Sequence, residues 1–140
     1  MTRFYDVDAA NAALTDVGPL LETLADQRAQ LIQLRDAAVA STSGAGAATT
    51  GASEADLDPE EARRIRLRMQ GLVDQMAAAV AHIDAQGITL RDIERGLIDF
   101  PALVNGRQVW LCWQLGEPAV DHWHELETGF GSRRPLIELS

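Results

Sequence analysis

Apolar residues recur at intervals of three and four between about Asp8 and Val39, which predicts an amphipathic helix. Proline removes one helix hydrogen bond and clashes with the preceding turn. We therefore expect a kink at Pro19, or a short helix that ends near Val17 followed by a long one. Gln27 interrupts the apolar stripe. The stripe consists of Ala10, Ala13, Val17, Leu20, Leu24, Leu31, Leu34 and Ala38, widened by Leu14 and Leu21.

A second helix is predicted over residues 58–86. Asp58 is a favourable N-cap, Pro59 suits the first helical position, Glu61 completes a capping box and Gly87 suits the position after the helix. The two helices are expected to form an antiparallel hairpin. The alternative is that part of the stripe makes a homodimer or partner interface. The apolar face of the second helix is formed by Ile65, Met69, Leu72, Val73, Met76, Val80 and Ile83.

Two other segments have different patterns. Residues 41–53 contain only Ser, Thr, Gly and Ala, which predicts a flexible linker between the helices. Beyond residue 88 the pattern alternates, and Ile88-Thr89-Leu90 is read as a short strand. Residues 97–104 and 107–115 surround Asn105-Gly106, the strongest short-range signal for a β-hairpin.

A two-residue turn fixes the register of this hairpin. One face is apolar and should pack on the helices; the other contains Asp99 opposite Cys112. Pro101 lies at a position where its missing N–H points away from the partner strand, so no further strand should bond to it. The expected pairs are Val104–Arg107, Ala102–Val109, Phe100–Leu111, Ile98–Trp113, Leu103–Gln108, Pro101–Trp110, Asp99–Cys112 and Leu97–Gln114.

Together these patterns predict an α+β fold in a single domain, residues 1–140. The helical hairpin is formed by residues 8–39 and 58–86, with the first helix kinked at Pro19. It packs on one face of a small antiparallel sheet built around the 97–104/107–115 hairpin. Residues 88–140 form the β-rich end with the candidate site.

Charge narrows the range of functions. The chain has 12 basic and 21 acidic residues, a net charge of -9, which disfavours nucleic acid and anionic membrane surfaces as partners. No apolar run is long enough to span a bilayer, and the N-terminus lacks the apolar stretch of a signal peptide. A single cysteine fits a reducing compartment, so we expect a cytoplasmic location.

The chain resembles a bacterial family catalogued as domain of unknown function 2203. The resemblance rests on Gly96-Leu97-Ile98-Asp99-Phe100-Pro101, Leu111-Cys112-Trp113, Gly116-Glu117, Trp123-His124-Glu125, Gly129-Phe130 and Arg133. It covers nearly the whole chain except the linker, and it carries no assigned activity. The resemblance implies that the following residues stand at family motif positions: Asp99, Cys112, Trp113, Glu117, Trp123, His124, Glu125 and Arg133.

All three tryptophans, the only cysteine and two of the three histidines lie between Trp110 and His124. If this segment is extended, His122 and His124 share one face, which suits a pair of metal ligands. With Asp99 or Cys112 nearby, a divalent metal site is one hypothesis. The alternative is a packed edge with each histidine bonded to backbone and Cys112 acting as a small apolar residue.

The sequence signals for anion binding and for a cysteine nucleophile are less specific. Arg133 and Arg134, with Trp110 and Trp123, offer donors and aromatic surfaces to an anionic ligand. The alternative is that these arginines pair with Glu117, Glu125 or Glu127. A Cys112–His124 nucleophile stays open, although a cysteine between tryptophans is expected to be buried.

Two function classes follow, and the sequence does not decide whether the protein is an enzyme. The favoured one is a non-catalytic cytoplasmic module that binds a partner or ligand, with the helical hairpin making homodimer or partner contacts. The other is a small metal-dependent, hydrolase-like enzyme. Its candidate catalytic residues are Asp99, Glu117, His124 and Glu125, and its candidate metal ligands are Asp99, Cys112, His122 and His124.

Overall fold

The β-hairpin around Asn105-Gly106 forms the centre of the sheet. In the computed structural model, which describes residues 3–47 and 58–139, β2 (Leu97–Val104) pairs with β3 (Arg107–Gln114) in the register predicted from the turn. Asn105 and Gly106 have φ angles of 53° and 79°, as a type I′ turn requires. Since β3 ends at Gln114, it is one residue shorter than expected.

Three short strands complete an antiparallel sheet with the order β1-β2-β3-β4-β5. They are β1 (Thr89–Asp92), β4 (His122–His124) and β5 (Arg134–Pro135). Two helices accompany the sheet, α1 (Val7–Ala47) and α2 (Pro59–Ala85), which makes the fold α+β as predicted.

The apolar face of the hairpin forms the core. Phe100 and Val109 are fully buried, and the Tyr5 ring meets Phe100 edge-on at 5.0 Å between ring centroids. The Asn11 side chain connects the beginning of α1 to the segment before β4, because its Oδ1 accepts the Val120 N–H at 2.7 Å. The helical residues that are fully buried are Ala10, Val17, Leu21, Leu24 and Ile83.

Helix α1 runs through Pro19 without interruption, so the alternative of a break before Pro19 is wrong. Pro19 removes the hydrogen bond that its own N–H would make and crowds the preceding turn, and the helix nevertheless continues. Val17 and Leu21, fully buried on either side of Pro19, anchor both flanking turns in the core. Leu21 is fully buried, whereas the sequence pattern had counted Leu20 in the stripe and Leu21 only as widening it.

The helix ends differ from the predicted bounds. Helix α1 continues to Ala47, so residues 41–47 of the predicted linker are helical, and residues 48–53 lie outside the described part of the chain. Asp58 is the predicted N-cap of α2, since its Oδ1 accepts the Glu60 N–H at 3.1 Å. Within the described residues, neither helix contains an apolar stretch long enough to cross a membrane.

The chain divides into two compact units, Met1–Ala25 with Ala79–Ser140, and Asp26–Ala78. In the second unit Gln27 donates to Gln75 at 2.7 Å and Leu34 lies beside Ile65, so its helical segments run antiparallel. Gln27, which interrupts the apolar stripe, is thus a buried residue bonded across the two helices. Both units contain parts of both helices, and the single domain stays a prediction.

Pro101 was expected to lie at an edge without a further strand. Strand β1 pairs with β2 only as far as Asp99, in agreement with that expectation. The backbone N–H of Tyr5 donates to the Pro101 carbonyl oxygen at 2.7 Å. The N-terminal segment therefore covers this edge through the carbonyl, because proline offers an acceptor and no donor.

Candidate functional site

The second face of the hairpin carries polar groups that are buried at its centre. Asp99 of β2 lies opposite Cys112 of β3, and His124 of β4 lies opposite Trp110 of β3. Because alternate residues of a strand share a face, Asp99, Cys112 and His124 all lie on this side of the sheet. Their exposed fractions are only 2%, 1% and 2%, so each polar group must find its partners within the protein.

The hydrogen bonds of His124 determine where its protons lie. Nδ1 is 2.9 Å from the Glu125 carbonyl oxygen, and Nε2 is 3.1 Å from Asp99 Oδ1. A carbonyl oxygen only accepts, so Nδ1 carries a hydrogen. Nε2 and Oδ1 lie within hydrogen-bond distance, so the ring links the Asp99 carboxyl group to the Glu125 carbonyl.

Arg91 binds the other oxygen of the same carboxylate. Its Nε donates to Asp99 Oδ2 at 2.9 Å, and the side chain is 43% exposed. The guanidinium also lies 5.0 Å from the ring centroid of Trp110, which is half-buried. We call Arg91, Asp99, Cys112 and His124 the Asp99 cluster.

The Cys112 thiol is held in its protonated form. Burial is the main cause that raises its pKa to about 12, and the negative charge of Asp99 adds to this, while Arg133 partly opposes it. Because the thiolate is the nucleophile, this environment does not favour the Cys112–His124 nucleophile hypothesis. Both His124 ring nitrogens are also engaged in hydrogen bonds, which leaves neither to activate the thiol.

A pocket of about 260 Å³ opens beside the Asp99 cluster. Asp99 and His124 form its polar side together with Arg91, and Leu97, Leu126 and Phe130 form its apolar side. Arg95 lies over the Phe130 ring, with its guanidinium carbon 4.5 Å from the ring centroid. The lining is completed by Thr128 and Gly129, from the loop between β4 and β5.

Glu117 and Arg133 form a second polar site, which we call the Glu117 pair. Arg133 donates to both oxygens of Glu117, at 2.9 and 2.7 Å, and the Gln114 N–H donates to Oε1 at 2.7 Å. Burial by itself would raise the pKa of Glu117, but these bonds outweigh it and hold the pKa below its usual value. Arg133 thus pairs with an acidic residue, which agrees with the predicted alternative that it pairs with a nearby glutamate.

The two histidines of His122-Trp123-His124 do not share one site in the described residues. His122 Nδ1 is 2.6 Å from Asp121 Oδ1 and 4.0 Å from Glu117, whereas His124 belongs to the Asp99 cluster. The hypothesis that both histidines bind one metal ion stays a prediction, and the structure places them in two separate groups of potential ligands. Both lie on the same face of β4, with His122 opposite Cys112 and Pro135, next to the segment that holds Asp121 and Glu117.

The remaining predicted residues lie outside the pocket. The Glu125 carboxylate pairs with Arg107 at 3.1 Å, while its carbonyl accepts from His124. Trp123 is 3% exposed and Arg134 is exposed, with its guanidinium carbon 5.6 Å from the Trp123 ring centroid. Of the predicted catalytic set, the structure brings only Asp99 and His124 to the pocket.

Sequence reasoning missed Arg91 and the apolar side of the pocket. A signal for Arg91 was present, because a buried carboxylate needs a cation. Strand β1 extends two residues beyond Leu90, and Arg91 lies at the register shift between the pairs Leu90–Ile98 and Asp92–Leu97. Leu126 and Phe130 had no such signal. They lie in a segment without hydrophobic periodicity, whose path over the sheet is set by tertiary contacts.

Fold and site together define a small α+β protein with a buried aspartate–histidine pair beside a pocket. Residues 3–136 match the model of the family described as uncharacterized conserved protein (DUF2203), and the chain belongs to this family. No curated protein and no solved structure matches the chain.

Proposed function

We propose that the protein is a non-catalytic ligand-binding module whose pocket takes a small organic carboxylate with an apolar body. The observation that carries this proposal is the pocket of about 260 Å³ beside the buried Asp99–His124 pair. Convergent polar groups at one side of a mostly apolar concavity are typical of small-molecule sites.

Charge supports an anionic ligand. Both oxygens of Asp99 are engaged, one by Arg91 and one by His124, and Arg91 adds one positive charge to the lining. Arg91 donates to Asp99 through Nε, and its two terminal nitrogens are the donors that a ligand carboxylate would use. A cationic ligand would meet repulsion from Arg91 at the same place.

The size and the apolar side of the pocket support a compact, partly apolar ligand. Leu97, Leu126 and Phe130 provide a surface for an aromatic or aliphatic group. The volume of about 260 Å³ lies below the roughly 300–1,000 Å³ of pockets that hold drug-sized ligands. A single-ring acid such as benzoate suits these dimensions.

Binding is favoured over catalysis by the state of the polar groups. The Cys112 thiol is protonated, and both nitrogens of His124 and both oxygens of Asp99 are already bonded. General-base catalysis needs a group that can accept a proton from the substrate. Glu117, another candidate base, is bound by Arg133 through both oxygens.

Isothermal titration calorimetry with benzoate tests the proposal. We expect a dissociation constant of about 1 mM for so small a ligand, and binding weaker by at least about tenfold in Arg91→Gln. Arg134→Gln is the matched control, because Arg134 lies outside the pocket. Benzylamine, of similar shape and opposite charge, should not bind. Equal binding of benzoate and benzylamine, or no effect of Arg91→Gln, would contradict the proposal.

A contact of the helical hairpin with a second copy of the chain, or with another protein, remains a separate prediction. Leu67 of α2 and Val39 of α1 are 60% and 57% exposed, which supports such a contact. Light scattering on the protein and on Leu67→Glu tests it. A monomeric mass in both samples would contradict the homodimer.

A further inference from the structure

We propose that Asp99, Cys112 and His124 form a binding site for one Zn²⁺ ion, with a fourth coordination position on the side of the pocket. This inference goes beyond the proposed ligand binding, since it concerns a metal ion, two of whose ligands, Asp99 and His124, also line the pocket. It rests on the geometry of three buried side chains and on the groups that orient them.

The three side chains offer the right atoms at a short separation. One carboxylate oxygen, one thiol sulfur and one imidazole nitrogen all lie within 4.8 Å of one another. Tetrahedral zinc with bonds of about 2.0–2.3 Å places neighbouring ligand atoms roughly 3.5 Å apart, so small side-chain movements suffice. All three residues are buried, and they come from three adjacent strands of a paired sheet.

The surrounding hydrogen bonds orient each ligand. His124 donates Nδ1–H to the Glu125 carbonyl, which leaves Nε2 directed at Asp99 and Cys112. Metal-bound histidines nearly always use the second nitrogen in this way. Arg91 holds Oδ2 of Asp99 and leaves Oδ1 facing Nε2 at 3.1 Å. The positive charge of Arg133 lies close enough to the Cys112 thiol to lower its pKa, so it would stabilise a metal-bound thiolate.

The donor set determines the class of metal. A thiolate with an imidazole favours Zn²⁺ over Mg²⁺ and Ca²⁺, which prefer oxygen ligands. Binding would release the thiol hydrogen. The carboxylate and thiolate then balance the two positive charges of the ion. Three protein ligands leave a fourth position for water, and two of the three ligands line the pocket.

A second group of potential ligands provides a control. Glu117, Asp121 and His122 also lie within 4.8 Å of one another, but this group is partly exposed and contains no sulfur. Its Glu117 carboxylate is already bound by both donors of Arg133. Removal of His122 should therefore leave the proposed zinc site intact.

Cobalt(II) replaces zinc in thiolate sites and reports sulfur coordination through a charge-transfer band in the near ultraviolet. We expect Co²⁺, added to the full-length protein after treatment with chelator, to give this band with saturation at one equivalent, and Zn²⁺ to abolish it. Cys112→Ser should lose the band. His124→Ala should bind at least about tenfold more weakly, and His122→Ala should behave like the unchanged protein.

The absence of a saturable band in the unchanged protein would overturn the proposal. So would a band that survives in Cys112→Ser, or one that His122→Ala removes. Circular dichroism of each variant ensures that only folded protein is compared. Calorimetry with benzoate is carried out on the metal-free protein, so failure of the zinc site and failure of the proposed ligand binding are separate results.

Discussion

The Asp99 cluster and the Glu117 pair each set a carboxylate against an arginine, but their surroundings differ. The Glu117 side chain is 20% exposed and receives three hydrogen bonds from Arg133 and Gln114. The Asp99 side chain is 3% exposed, lies 3.1 Å from His124 Nε2 and lines a pocket. The first arrangement fastens a loop to the sheet. The second keeps polar groups fixed next to space that a ligand can fill.

This difference predicts that the stability of the fold depends more on the Asp99 carboxylate than on the Glu117 carboxylate. Removal of one member of a buried pair leaves the partners charged and unpaired, which costs about 3–5 kcal/mol. Asp99→Ala should lower the free energy of unfolding by that amount, because Arg91 and His124 both lose their acceptor. Urea unfolding measures the change. A loss below about 1 kcal/mol would show that the cluster does not depend on Asp99.

The thiol of Cys112 offers a chemical test of burial. A pKa of about 12 in place of the ordinary 9.0 leaves about 1,000-fold less thiolate at pH 8. Alkylation by iodoacetamide should therefore be slower by at least about 1,000-fold in the folded protein than in urea. The reaction is followed by mass spectrometry. Comparable rates in the two states would contradict the buried, protonated thiol.

The Glu117 pair should contribute less than Asp99, but in a pH-dependent way. Hydrogen bonds to charged groups contribute about 1.5–3 kcal/mol, and we expect Glu117→Gln to lower the free energy of unfolding by that amount at pH 7. The pKa of Glu117 is lower in the folded than in the unfolded protein. Its stabilising effect is therefore complete above the unfolded value, near 4.5, and is lost as the pH falls through the folded pKa.

Urea unfolding between pH 3 and 7 measures this effect. The difference between the unchanged protein and Glu117→Gln should shrink as the pH falls towards 3. A difference that stays constant over this range would show that ionised Glu117 adds nothing through Arg133.

Removal of the Glu125 charge should have the smallest effect on stability, and it serves as a control for the loss of a negative charge. Its carboxylate pairs with Arg107, whose side chain is 59% exposed, and such surface pairs contribute about 0–1 kcal/mol. Glu125→Gln should change the unfolding free energy by less than about 1 kcal/mol and leave benzoate binding unaltered. A large loss of binding would place Glu125 in the ligand site.

The sequence was sufficient for the hairpin and for the pairing of Asp99 with Cys112, because a two-residue turn leaves one register. It was also sufficient to place Asp58 at the start of α2. It was not sufficient for the relation between His122 and His124, which depends on where the 117–121 segment and Arg133 meet the sheet. The pocket likewise needs Leu126 and Phe130, which no periodic pattern positions.

The most direct test of the comparison is a nuclear magnetic resonance titration of ¹⁵N-labelled protein with benzoate. The account predicts shifts of the backbone amides of Thr128 and Gly129 and of the Arg91 side-chain Nε–H, with the amides of Gln114 and Glu117 unchanged. Shifts concentrated at Gln114 and Glu117, or no saturable shift at the pocket, would contradict the assignment of ligand binding to the Asp99 cluster.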